Sequence, residues 1–97
     1  TLSNVFNYPN PFSKSTQFAF EVSQPASVSI KVFSLTGQLV IEVGDIFESH
    51  YGYSHIDWNG KDDFGGEIAN GAYLYQLTAE PDDGGKKISI IGKLAKY

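Results

Sequence analysis

The residues best equipped for chemistry stand in "DWNGKDDFG", residues 57–65, where Asp57, Asn59, Asp62 and Asp63 carry four oxygen-bearing side chains within seven positions. Calcium takes six to eight oxygen ligands from a flexible loop, so this stretch is a candidate calcium site. The spacing departs from the helix-loop-helix calcium pattern, because Gly60 comes early and Lys61 stands where a ligand is wanted. Asp and Asn also hydrogen-bond their own backbone in tight turns, and the turn reading is the preferred one. Beyond this calcium option, no cofactor is expected.

Other catalytic constellations fail on spacing. His50 and His55 are five apart, which in one strand puts them on opposite faces, unable to share a metal. "GYSHI", residues 52–56, has the serine of a nucleophile elbow, but Ile56 replaces the second glycine and no strand-to-helix turn is expected. No glycine loop leads into Lys-Ser/Thr or into a helix N-terminus that would hold phosphate. An enzyme is therefore not expected. The aromatics, six Tyr and seven Phe with one Trp, offer an alternative, since an exposed row could stack on sugar rings. Alternation assigns Phe18, Phe20, Trp58, Tyr73 and Tyr75 inward, where packing is the commoner role.

Charge narrows the partners. Seven basic against eleven acidic residues give a net charge of −4, which argues against a sequence-independent grip on nucleic acid or anionic lipid. Lys86, Lys87, Lys93 and Lys96 fall in the last twelve positions. Lysines there suit an exposed edge strand protected from edge-to-edge pairing. No run approaches the roughly 20 apolar residues of a spanning helix, so direct membrane insertion is not expected. With 97 residues the chain reads as one domain; without cysteine it has no disulfide, and without methionine it reads as a piece of a longer protein.

The elements that must position these groups follow a period of two, with no 3.6-residue apolar pattern. Thr16, Phe18, Phe20 and Val22 share one face of a strand, and Val28, Ile30 and Val32 share one face of the next. "LTGQ" reads as a tight turn with positive φ at Gly37, leading into "QLVIEV". A loop is expected over 44–52, then a strand from Tyr53 to Trp58 with Ile56 and Trp58 inward. The glycine-rich stretch after Trp58 reads as loop. Ala72–Glu80, apolar on both faces, reads as a central strand, and Asp83-Gly84 turns it into a last strand with Ile88, Ile90 and Leu94 on one face and Lys87, Ile91 and Lys93 on the other. About seven strands at spacings near ten residues predict an all-β, antiparallel immunoglobulin-like sandwich with Trp58 as its largest core group.

"NYPNPF", residues 7–12, completes the pattern. Pro9 and Pro11 exclude a helix and a central strand, leaving a stiff, extended entry segment. The expectation is that Phe6, Tyr8 and Phe12 cap the open end of the sandwich and fix the angle to a preceding domain, each compatible proline contributing about 0.4 to 1 kcal/mol.

In this order, "NYPNPF", "VFSLTGQLV", "DWNGKDDFGGEIANGAYLYQL" and "KKISIIGKL" resemble the C-terminal domains that direct proteins through the type IX secretion system of one phylum of Gram-negative bacteria, and equally the related FlgD-like immunoglobulin-like domains. The resemblance spans Asn7 to Leu94. It implies a non-catalytic C-terminal sorting and anchoring domain of a secreted or cell-surface bacterial protein, with the secretion machinery of the outer membrane and the preceding domain of the parent as partners. It also implies roles by position: "NYPNPF" as entry motif, Gly37 as turn glycine, Trp58-Asn59-Gly60 as tryptophan turn, Gly71 and Tyr73 opening a strand, and Lys86, Lys87, Lys93 and Lys96 as the end that the machinery recognises. The rival reading is a structural or ligand-binding accessory module, with calcium at Asp57, Asn59, Asp62 and Asp63.

Overall fold

The computed structural model describes residues 2–49 and 52–97, with side chains for all of these except 44–49. Among the described residues seven strands follow one another: β1 (Leu2–Tyr8), β2 (Thr16–Val22), β3 (Ala26–Ser34), β4 (Leu39–Ser49), β5 (Gly52–Trp58), β6 (Gly71–Pro81) and β7 (Ile88–Lys96). They form two antiparallel sheets, one in the order β1-β2-β5 and the other β4-β3-β6-β7. No described residue is helical. The chain is an all-β, immunoglobulin-like sandwich, as its period-two pattern predicts.

Alternation decides which side chains meet between the sheets. Phe18, Phe20 and Val22 from β2 face Val28, Ile30 and Val32 from β3 and Tyr75 and Leu77 from β6, all of them buried. A fully buried side chain of this size stabilises by about 1.5 to 3 kcal/mol. β6 is central, flanked by β3 and β7, and on its outer face Leu74 is half-buried between its cross-strand partners Phe33 and Lys93. The turn at Gly37 has φ +90°, with Gly37 N–H donating to Ser34 O at 2.9 Å. Gly84, φ +84°, closes the β6–β7 hairpin with its N–H on Pro81 O at 3.1 Å.

Three expectations are corrected. β4 continues through Ser49, pairing with Ala26, across most of the stretch read as a loop over 44–52. The pairs Val28↔Phe47 and Ile30↔Val43 leave two extra residues on β4, a bulge that interrupts the regular ladder within the stretch read as loop. His50 and Tyr51 lie outside the described residues. The entry motif is extended only to Tyr8 and then bends from Pro9 onward, both X–Pro peptides being cis. Of its aromatics, Phe12 alone caps the core, for Phe6 and Tyr8 face solvent. Finally, the glycine-rich loop is not without core content: Ile68 is buried, tied by its N–H to Gly60 O at 3.2 Å.

Candidate functional site

The entry motif and the end of the chain meet. Asn10 donates from Nδ2 to Lys93 O at 2.9 Å and accepts the Ala95 N–H on Oδ1 at 3.1 Å. Two residues on, Phe12 N–H donates to Ala95 O at 2.9 Å, and Phe12 O accepts Tyr97 N–H at 3.0 Å. Four hydrogen bonds thus clasp the outer edge of β7 from Lys93 to Tyr97, where the last strand of a sheet would otherwise expose its backbone. Asn10 suits this role because its amide presents a donor and an acceptor side by side, copying a neighbouring strand.

Phe12 carries the clasp into the core. Its ring lies 5.6 Å from that of Trp58, tilted by 54°, and Phe18 stands on the indole at 6.4 Å. Trp58 ends β5, buried, with Nε1–H donating to Lys61 O at 3.0 Å, so its polar atom is satisfied. Gly60 allows this turn: φ is +74°, and a Cβ there would stand 3.0 Å from Lys14 O and 3.1 Å from Cε2 of Phe12.

Of the four oxygen-bearing residues, Asp63 lies exposed in the turn after Asp62. Asp57 projects from the solvent face of β5, beside His55 at 3.9 Å. Asn59 accepts the Lys61 N–H at 3.1 Å. Asp62 accepts from Phe64 N–H at 2.9 Å and Gly66 N–H at 3.0 Å through one oxygen. These are the local bonds by which Asx residues close turns. Among the described residues no three His, Asp or Glu side chains gather as a metal-binding group.

The lysines also occupy different places. Lys86 lies exposed in the short stretch between the turn at Gly84 and β7. Lys87 pairs with Glu80 at 3.5 Å on the surface, where such a pair contributes little. Lys93 faces solvent from β7, while Lys96, with the parity of the buried Leu94, reaches Asn70 Oδ1 at 3.5 Å. Sequence reasoning missed the Asn10 clasp, whose partners are 83 and 85 positions away; the only local signal was an Asn held between two prolines.

Two stacked antiparallel sheets closed by an aromatic-capped entry motif define an immunoglobulin-like domain. Residues 4–83 match the FlgD Ig-like domain, and the chain belongs to that family. No curated protein matches it. Among solved structures it is similar to latent dimeric PorU from Porphyromonas gingivalis, with a TM-score of 0.78, 24% identity and coverage of 95% of this chain and 9% of that one. FlgD from Xanthomonas campestris, described as giving insights into hook capping in flagellar assembly, gives 0.71 at 18% identity, over 97% of this chain and 67% of that one. PorZ from Porphyromonas gingivalis, described as an essential surface component of the type IX secretion system, gives 0.57 at 20% identity, over 97% of this chain and 11% of that one. At these identities the likeness is one of fold. The chain spans only about a tenth of PorU or PorZ.

Proposed function

We propose that this domain is a non-catalytic sorting and anchoring module of a secreted or surface bacterial protein, read by outer-membrane export machinery through its last strand. The observation that carries the reading is the placement of β7, an edge strand with Lys93 facing solvent and its final residues held straight by the Asn10–Phe12 clasp. A strand so presented offers a rigid, basic element to a partner without disturbing the core. The likeness to PorU and PorZ supports a setting in type IX export. A second reading, a purely structural accessory module, is favoured by the family match, whose flagellar relatives have the same sandwich.

One experiment separates the two. Residues 1–97 are fused to an inert periplasmic reporter in a host with type IX export, beside the same fusion carrying Lys93→Glu and Lys96→Glu. Export of the first and retention of the second are expected. Retention of both would favour the accessory module.

A further inference from the structure

β1 is built the wrong way round for a strand of a small sandwich. It buries Asn7, whose Oδ1 finds no hydrogen-bond donor among the described residues, and turns Phe6 and Tyr8 outward, 49% and 65% exposed. A bulge causes the inversion. The pairs Ser3↔Glu21 and Phe6↔Ala19 leave one residue too many on β1, and Asn4 absorbs it with φ +51°. Without that extra residue Phe6 and Tyr8 would share the inward parity of Leu2. Exposed aromatics opposite a buried polar group are informative in a way that a lone surface phenylalanine is not.

On the same outer face, β5 contributes Tyr53, 65% exposed, with His55 and Asp57. The register sets three rows: Glu21 beside Tyr53; Phe6, Ala19 and His55; Tyr8, Gln17 and Asp57. Ala19, only 9% exposed, stands between Phe6 and His55 in the middle row. Tyr8, Gln17 and Asp57 also line a shallow cavity with Ser15. Asn4 Nδ2 fastens one end, donating to Glu21 at 2.8 Å and to the Tyr53 hydroxyl at 3.2 Å. The Tyr53 and Tyr8 rows are four residues apart along β2, about 13 Å at roughly 3.3 Å per residue.

We propose that this face binds an uncharged polysaccharide. Rings spread over about 13 Å of one sheet face suit an extended ligand with repeating flat units rather than one apolar anchor. Sugar rings present C–H faces to aromatics and hydroxyls at their edges, and here carboxylates accept while the Gln17 amide offers both donor and acceptor. Charge complementarity selects the neutral polymer: the strands place Glu21 and Asp57 on this face and no lysine or arginine, which repels phosphate, sulfate and uronate groups. The site is independent of the sorting role, which rests on the other sheet.

The test is affinity electrophoresis of the 97-residue chain in gels cast with hydroxyethylcellulose, with neutral arabinoxylan, and with acidic polygalacturonate. Retardation by at least one neutral polymer and none by polygalacturonate is expected. Tyr8→Ala and Tyr53→Ala should each weaken retardation on the order of tenfold, the scale of one lost ring contact, with the melting temperature kept. Tyr53→Phe, which keeps the ring, and Ile91→Ala on the other sheet should bind like the parent. The proposal is overturned if no neutral polymer retards the chain, or if both alanine variants bind as the parent does. Sedimentation showing a dimer that Tyr8→Ala dissolves would assign the face to a second copy and also overturn it.

Discussion

Gly92 lies directly under the ring of Tyr75: a Cβ built on the glycine would stand 2.5 Å from both Cζ and Oη of the tyrosine. The two are cross-strand partners between β7 and β6, and the ring continues inward to Phe18 at 5.0 Å. The missing side chain on one strand is thus the space that the other strand's ring fills.

Gly92→Ala should accordingly destabilise by about 1 to 3 kcal/mol, the range of an overpacked core, since a ring held by Phe18 has little room to retreat. Chemical denaturation measures it. With Tyr75→Leu in the same chain the loss should be smaller than the sum of the two single changes, because the atoms in conflict are gone. Strict additivity would refute the contact.

Asn10→Ala removes two side-chain bonds to the backbone of β7. A loss of about 1 to 3 kcal/mol is expected at roughly 0.5 to 1.5 per bond. Hydrogen exchange locates the effect: the amides of Ala95 and Tyr97 should exchange faster, while that of Leu77 in central β6 should follow only the global loss. Unchanged exchange at Ala95 would show that the clasp contributes nothing.

Burial raises the hydroxyl pKa of both Tyr73 and Tyr75 above the ordinary value of 10.0. A raised value in the folded state means that the unfolded chain releases these protons first. The stability linked to them is whole below about pH 10 and is lost as pH rises through the folded values. Melting followed from pH 8 to 12 should decline only above about 10. Tyr73→Phe, which also deletes the hydroxyl donated to Ala69 O, should flatten that decline at a loss of about 0.5 to 1.5 kcal/mol at neutral pH.

Asn59 and Asp62 already accept backbone N–H groups in their own turns, so millimolar calcium should leave the melting temperature unchanged. A calcium-dependent rise, abolished by Asp63→Asn, would instead assign the loop as a metal site.

What could be read from the chain tracks where local pattern agrees with the tertiary structure. β2, β3 and β6 announce themselves because large apolar residues, Phe18, Val28 and Leu77 among them, recur at every second position against one core. β1 and the far half of β4 do not: one extra residue on β1 reverses the faces that alternation assigns, and two extra residues on β4 interrupt its ladder between Val43 and Phe47. Trp58 was legible as core from the strand that ends on it. Its supports were not: Phe12 reaches it across a bent proline segment, and Ile68 comes from a stretch whose glycines suggested only loop. The clasp was invisible because no short-range signal encodes a bond across 83 positions. The loop's Asx turns, by contrast, were readable from composition alone.

The clasp has a bearing on timing. Asn10 is made 83 and 85 positions ahead of its partners Lys93 and Ala95, and Phe12 likewise precedes Ala95 and Tyr97. Synthesis at about 5 to 20 residues per second leaves the first strand waiting seconds for its latch. Until then the indole lacks neither β2 nor β5 but does lack a fastened lid, so a nascent domain stays incompletely closed and a chain cut short before Ala95 stays so for good.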